Sequence, residues 1–217
     1  MRTDWELLLE AENSDTPLTV VRFYRWERPT VSLGKHQIPE RSIDFLFCQD
    51  SRIPVIHRPT GGRAVLHADE LTYAVASNDS SLFGTLDIRG TYQQIGETLQ
   101  AGLERIGAET VLSRGKTDPG LERNALQSSP CFSTASRSEL TATGRKIAGS
   151  AQRRLRKSFL QHGSIPLLID YRLMSQVLKY PEEFLRSRMI SVSEAVGHPV
   201  PFESVAEALR EAFTAWH

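Results

Sequence analysis

The chain has 217 residues, enough for one large domain or two small ones with a full hydrophobic core. Hydrophobic residues make up 40% of it and charged residues 24%, which are values typical of a globular protein. Because the formal net charge is +0, the molecule as a whole is not expected to bind nucleic acid by charge.

The cysteine content and the lack of long apolar runs argue against several further classes of protein. The two cysteines, Cys48 and Cys131, do not form a paired-cysteine spacing, which argues against a disulfide scaffold or a zinc site. No run approaches the roughly 20 apolar residues that a membrane span requires, and the N-terminus has no secretory pattern. We expect a cytoplasmic protein without a metal and without a membrane partner.

The start of the chain predicts a helix followed by two strands. Asp4 is expected to cap a short helix that runs through Glu12. Residues 18–26 are rich in β-branched and aromatic side chains and predict a strand, and residues 30–33 predict a second one. A further helix is expected to begin at Pro39 and end at Cys48, where the thiol would be a buried small hydrophobe.

Residues 57–76, HRPTGGRAVLHADELTYAVA, contain a tight turn between strands. We call residues 60–63 the glycine elbow, since adjacent glycines permit positive φ and a close approach of the backbone to a ligand. Strands are expected at 64–67 and 71–76. The elbow suits the floor of a pocket, and it equally suits an ordinary structural turn.

The middle of the chain predicts one long helix and one long loop. Residues 79–87 are expected to form a loop, and residues 89–107 carry apolar side chains at helical spacing that predict a core-facing helix. A short strand is expected at 109–113. Residues 114–129 are polar and show no periodicity, which predicts a long loop leading to Cys131.

Residues 138–159 predict a hairpin that turns at Gly144 and Arg145. Lys146 would follow that turn as an exposed residue heading a strand of small side chains. The far end of this strand carries a basic cluster, consisting of Arg153, Arg154, Arg156 and Lys157. This cluster suits either a solvated edge strand or a docking surface for an acidic partner.

The rest of the chain predicts one strand and several helices. The strand is expected at 162–168, short helices at 171–178 and 182–186, a capping box at 191–194 and a longer helix at 202–216. The order of elements predicts the α+β class, with a mixed, largely antiparallel central sheet and flanking helices. Residues 1–217 are expected to form one domain.

Three stretches carry a family resemblance. They are RPTGGRAVLH at residues 58–67, GRKIAGSA at residues 144–151 and QHGS at residues 161–164. In order and approximate spacing they resemble signatures of the lipoate–protein ligase and octanoyltransferase family, which is related in fold to biotin ligases. The resemblance implies a biotin/lipoate protein ligase-like catalytic domain, here expected without the C-terminal accessory domain that the ligases append.

The resemblance also implies catalytic residues. The lysine that matches Lys146 contacts the acyl carbonyl in the family, where an ammonium stabilises developing negative charge. Pro130 and Cys131 look like the cysteine branch of the family, the octanoyltransferases and amidotransferases. A thiolate exchanges readily with a thioester, so an acyl group could move from a carrier to Cys131 and then to an amine without ATP or another cofactor.

A second set of residues is expected to bind the substrate. Arg58 and Arg63 could hold a phosphate or carboxylate of the carrier. His67 and His162 are candidate bases or orienting groups, and the sequence does not choose between them. The full substrate-binding set is Arg58, Gly61, Gly62, Arg63, His67, Gly149, Ser150 and His162.

These observations favour an octanoyltransferase of lipoate assembly. The expected donor is octanoyl-acyl carrier protein, and the expected acceptor is a lysine of a lipoyl domain or of the glycine cleavage H protein. The alternatives are an amidotransferase between lipoyl-type proteins, an ATP-dependent lipoate–protein ligase and a non-catalytic carrier-binding module. Cys131 argues against the last, because simple binding needs no nucleophile.

Overall fold

Two β-sheets organise the computed structural model of the protein, which describes residues 1–84, 87–113 and 139–216. A six-stranded sheet has the order β1-β5-β9-β8-β7-β6, and a three-stranded sheet has the order β3-β2-β4. The strands are β1 (Thr19–Tyr24), β2 (Thr30–Leu33), β3 (Val55–His57), β4 (Val65–His67), β5 (Glu70–Ser77), β6 (Val111–Ser113), β7 (Glu139–Ala142), β8 (Arg145–Arg154) and β9 (Phe159–Pro166). Only β2 and β3 pair in parallel among these strands, which confirms the mixed, largely antiparallel α+β prediction.

Helices cover the sheets from outside. They are α1 (Arg2–Asn13), α2 (Pro39–Ser42), α3 (Phe45–Asp50), α4 (Ser80–Phe83), α5 (Ile88–Arg105), α6 (Tyr171–Leu178), α7 (Glu182–Arg188), α8 (Val192–Val196) and α9 (Phe202–Thr214). Within the described parts of the chain, no helix is both long and apolar enough to cross a membrane.

The main core lies between the six-stranded sheet and the helices α5 and α9. Ile95, Leu99 and Leu103 form the buried stripe of α5, as its periodicity predicts. They pack with Tyr73 of β5 and Leu209 of α9 in one buried cluster. Burial of each such side chain stabilises the fold by roughly 1.5–3 kcal/mol. This cluster therefore holds α5 and α9 against the six-stranded sheet.

A second core lies beneath the three-stranded sheet. Val31 and Leu33 of β2 and Leu66 of β4 pack there with residues of α3, α6 and α7. Cys48 is 0% exposed in this cluster, which confirms that it is a buried small hydrophobe. Burial, together with the nearby charge of Asp44, raises the pKa of its thiol.

Several predicted boundaries are wrong because polar side chains start or stop helices locally. The helix expected from Pro39 to Cys48 is two helices, since Asp44 accepts a hydrogen bond from the Phe47 amide and starts a new one. The loop expected at 79–87 contains α4, which Asp79 caps. The capping box at Ser191 is confirmed.

The hairpin of β7 and β8 turns one residue earlier than predicted. Its turn residues are Thr143 and Gly144, with φ of 49° and 76°, as expected for a two-residue hairpin turn that matches the twist of the strands. The strand expected at 146–159 ends at Arg154, and β9 begins at Phe159 instead of residue 162. The predicted loop at 114–129, Cys131 and the start of the hairpin at Ser138 lie outside the described residues.

Candidate active site

The glycine elbow connects β3 to β4 and lies against the end of β2. Gly62 adopts a φ of 94°, and a methyl group on Gly34 would lie 2.0 Å from the carbonyl oxygen of Gly62. The elbow sequence therefore provides both a left-handed backbone and a close backbone approach.

Arg58 holds the elbow in place. Its buried guanidinium donates hydrogen bonds to the carbonyl oxygens of Ser32, Gly61 and Arg63, at 2.9, 2.9 and 2.6 Å. These bonds join two positions of the elbow to strand β2, since a planar guanidinium presents several donors in fixed directions. We conclude that Arg58 organises the elbow, whereas contact with a substrate stays a prediction.

A cavity of about 470 Å³, counted with its open mouth, lies beside the elbow. It brings together six of the predicted residues, which are Arg58, His67, Lys146, Gly149, Ser150 and His162. Gly61 and Gly62 are exposed and Arg63 is half-buried, and these three do not line the cavity. The other lining residues are Val65, Ala151, Gly163 and Ser164, which belong to the family motifs, and Met1, Ser32 and Thr72, which the sequence did not single out.

His67 is buried in the cavity wall with both ring nitrogens engaged. Its Nδ1 is 2.8 Å from Oε1 of Glu70, and its Nε2 is 2.7 Å from Oγ of Ser32. The ring stacks on Trp26 with a centroid distance of 4.3 Å. The Glu70 carboxylate requires a proton on Nδ1, so the Ser32 hydroxyl donates to Nε2 when the ring is neutral.

Glu70 places a buried carboxylate behind His67. The hydroxyl groups of Thr72 and Ser164 donate to it, in addition to the contact with His67. Burial would raise the pKa of Glu70, but His67 and the two hydroxyl groups outweigh burial and lower that pKa. The carboxylate is therefore ionised and fixes the orientation of His67.

His162 of β9 joins the cavity to the elbow and to α1. Its Nε2 is 2.7 Å from Oγ1 of Thr60, and its Nδ1 is 3.5 Å from Oδ2 of Asp4. Burial lowers the pKa of His162 although Asp4 opposes that effect, so the ring is neutral at pH 7. With both nitrogens of His67 and of His162 engaged by protein groups, the geometry favours orienting roles for the two rings.

Lys146 lies in the cavity wall, and the expectation that it is an exposed turn residue is wrong. Its side chain is 6% exposed, and Nζ is 2.7 Å from Oε1 of Glu139. The turn ends before Arg145, so Lys146 is already inside β8, where Met189 forms a bridge to it and the Ile190 amide donates to its carbonyl oxygen.

Gly149 and Ser150 continue β8 along the cavity. The Tyr73 hydroxyl donates to Oγ of Ser150 at 2.8 Å, which fixes that side chain against β5. Small residues at these positions leave space beside the backbone, as the sequence predicts.

The basic cluster is not a single exposed patch. Arg154 donates to Gln152 and Thr91 at 2.7 and 2.8 Å, and Nζ of Lys157 donates to the carbonyl oxygen of Ser14 at 3.0 Å. Within the described residues, β7 pairs only with residues 145–148 of β8, whereas Arg153 and Arg154 pair with β9 alone, so the edge-strand interpretation stays a prediction. Arg156 is the exposed member, and docking stays a prediction for it.

Asp4 has a structural role that differs from the helix cap predicted from the sequence. It does not cap α1, which begins at Arg2, but is fully buried in the first turn. Its carboxylate accepts hydrogen bonds from Nη1 of Arg22 and from the Tyr24 hydroxyl, each at 2.7 Å. Burial opposes ionisation, but His162, the amino-terminal charge and Tyr24 outweigh it and lower the pKa of Asp4 to about 2.

We expect Asp4 to make the protein sensitive to acid. Because its folded pKa is depressed, its contribution is present above the ordinary value of 3.8 and is lost as pH falls toward about 2. The contribution is about 2 kcal/mol, so Asp4→Asn should lower the free energy of unfolding by that amount at pH 7 and by less near pH 3. Urea unfolding at both pH values measures this.

The matched control is Asp15→Asn, since Asp15 is exposed and lies 3.8 Å from Lys157. Its effect should stay within about 0.5 kcal/mol at both pH values. Equal losses for the two variants would contradict the role given to Asp4.

Nearly the whole chain matches one protein family. Residues 2–214 match the model of the lipoyl protein ligase A/B catalytic domain. The chain belongs to this family, which confirms the family and the fold that its motifs predict.

Individual relatives refine the comparison. The chain is 36% identical over 222 residues to the octanoyltransferase LipM of Moorella thermoacetica. The aligned region covers 99% of this chain and 80% of the relative. A crystal structure of lipoate–protein ligase A bound with ATP superposes with a TM-score of 0.78 at 24% identity, covering 98% of this chain and 77% of that one. A bipartite lipoate protein ligase of Thermoplasma acidophilum, described with its E2 lipoyl domain, superposes with a TM-score of 0.72 at 23% identity. The match covers 99% of this chain and 79% of that one.

Proposed function

We propose that the protein is an octanoyltransferase of lipoate biosynthesis. The observation that carries the proposal is the 36% identity to a named octanoyltransferase over nearly the whole chain. The donor is octanoyl-acyl carrier protein, and the acceptor is a lysine of a lipoyl domain or of the glycine cleavage H protein. A cytoplasmic location belongs to the same proposal.

The reaction proceeds through a thioester on Cys131. The Cys131 thiolate attacks the carbonyl carbon of the donor thioester, and the tetrahedral oxyanion collapses with loss of the carrier thiolate, which takes up a proton. The neutral acceptor amine then attacks the acyl-Cys131, an amide bond forms and the Cys131 thiolate leaves. The amine releases one proton, which balances the proton that the carrier thiolate takes up. Thioester exchange is nearly balanced and amide formation is favourable, so neither a cofactor nor ATP is needed.

The cavity residues support both steps. The Lys146 ammonium, with backbone amides of Gly149 and Ser150, steadies the oxyanion in each tetrahedral intermediate. A buried position strengthens this effect, because water competes less for the developing charge.

Arg58 holds the glycine elbow beside the acyl site, and we expect Gly61, Gly62 and Arg63 of the elbow to contact the carrier outside the cavity. His67 and His162 orient the cavity wall through Glu70 and Asp4.

Three alternative functions differ from octanoyl transfer in the chemistry that they require. An amidotransferase would take octanoyl from a lipoyl-type protein instead of a carrier thioester. A ligase would activate free octanoate or lipoate with ATP, and the shared fold does not separate it from a transferase. Cys131 favours transfer, since a ligase needs no protein thiol and a non-catalytic binding module needs no nucleophile.

We expect octanoyl transfer without nucleotide. The protein mixed with octanoyl-acyl carrier protein should gain one octanoyl group, and a lipoyl domain added afterwards should take that group. Intact-protein mass spectrometry follows both steps, with free octanoate plus ATP as the parallel reaction. A strict requirement for ATP, with the free acid as the better substrate, would replace the transferase by the ligase.

A further inference from the structure

A buried ion pair lies beside the cavity at the junction of β7 and β8. Oε1 of Glu139 is 2.7 Å from Nζ of Lys146, and the two residues are 9% and 6% exposed. Within residues 1–84, 87–113 and 139–216, no donor reaches Oε1 with the geometry of a directed hydrogen bond. The contact is therefore a charge pair at short range.

The strand register turns Glu139 toward Lys146. Leu140 and Ala142 of β7 belong to the main core. Because side chains alternate along a strand, Glu139 faces away from that core, on the side of the sheet where Lys146 lines the cavity. Thr141, which shares the face of Glu139 on β7, is directly opposite Lys146.

Stability does not account for this pair. Moving two charges out of water costs several kcal/mol per ion, and apolar replacements of such pairs are often neutral or stabilising. The buried carboxylate of Glu70 differs, since it accepts from His67, Thr72 and Ser164. A charge pair that costs desolvation, and whose lysine lines the cavity, is better explained by what the carboxylate does to the lysine.

We infer that Glu139 is the positioning residue of Lys146, holding the ammonium against β7 at the place where the acyl oxyanion forms. This inference rests on the proposed octanoyl transfer. A lysine side chain has four rotatable bonds, and a carboxylate 2.7 Å from Nζ restricts them before the substrate binds. Misplacement of a catalytic group by about 1 Å can cost 10²-fold in rate, so the anchor affects the chemical step.

Single-turnover acylation by octanoyl-acyl carrier protein tests the inference. Glu139→Gln should lower the acylation rate at saturating donor by up to about 10²-fold and leave the donor concentration at half-saturation unchanged. Glu139→Asp keeps the charge on a shorter arm, so its rate should lie between wild-type and Glu139→Gln. The matched control is Glu203→Gln, which removes an exposed carboxylate 2.7 Å from Arg25 and should change nothing.

A double-mutant cycle separates positioning from a general structural effect. In a Lys146→Ala background, Glu139→Gln should not slow acylation further, because its target is gone. An equal slowing in both backgrounds would overturn the inference. Should Glu139→Gln fail to fold, a wild-type rate for Glu139→Asp would overturn it as well.

The wild-type reaction distinguishes the two proposals. If wild-type protein gains no octanoyl group, the proposed function fails and the role of Glu139 fails with it. If wild-type and Glu139→Gln are acylated at the same rate, the positioning role alone is wrong.

Discussion

Replacing Cys131 by Ala is expected to abolish octanoyl transfer and to leave no octanoyl adduct on the protein. The reason is chemical, because a methyl group cannot attack a thioester and the remaining thiol, that of Cys48, is 0% exposed with a raised pKa. Intact-protein mass after mixing with octanoyl-acyl carrier protein measures the adduct, and a lipoyl-domain assay measures transfer.

The control for this prediction is Cys48→Ala. It should retain both the adduct and transfer, while losing about 1 kcal/mol of stability because a buried sulfur is removed from the second core. A Cys131→Ala protein that transfers octanoyl at the wild-type rate would reject the thioester mechanism. An adduct located on Cys48 would reject the assignment of the nucleophile.

The elements that could be predicted from the sequence depend on local signals. The stripe of Ile95, Leu99 and Leu103 has a 3.6-residue period whatever it packs against, and it predicts α5 correctly. The glycine pair marks a turn, and Gly62 adopts a φ of 94° that few other residues tolerate. The family motifs then join these local features to a known arrangement.

The hydrogen bonds of the cavity wall could not be predicted, because most of them join residues of different strands. Ser32, His67, Glu70 and Ser164 belong to the four strands β2, β4, β5 and β9, and their hydrogen bonds depend on the register of those strands. A signal for Glu70 does exist in the sequence. It is a carboxylate at the head of an otherwise apolar run, three residues after a histidine, and such a charge must be paired if the strand is buried.

Asp4 and Lys146 show how a shift of one to three residues in an element boundary changes the role assigned to a residue. An acidic residue near a helix start usually caps it, but α1 begins at Arg2, so Asp4 lies within the first turn, where it is buried and meets Arg22 of β1. Likewise, moving the hairpin turn from 144–145 to 143–144 places Lys146 inside β8. The contact of Asp4 with Arg22 joins separate elements, and the position of Lys146 depends on the turn, so periodicity could not indicate either one.

Lys146→Ala should slow acylation of the protein by roughly 10²–10³-fold, the cost of losing one donor to an oxyanion. Because Lys146 is buried and paired, the same change leaves the Glu139 carboxylate buried without its cation. The free energy of unfolding should therefore fall by about 3–5 kcal/mol, and not by the small amount expected of an exposed residue. Single-turnover acylation and urea unfolding at pH 7 measure the two effects separately.

The double variant Glu139→Gln/Lys146→Ala separates the catalytic loss from the stability loss. Removing the stranded charge should restore most of the stability, because a neutral amide in that place no longer requires a cation. The acylation rate should stay as low as in Lys146→Ala, since the missing donor is not replaced. If stability and rate recovered together, the slow acylation of Lys146→Ala would reflect a damaged fold, and Lys146 would have no part in stabilising the oxyanion.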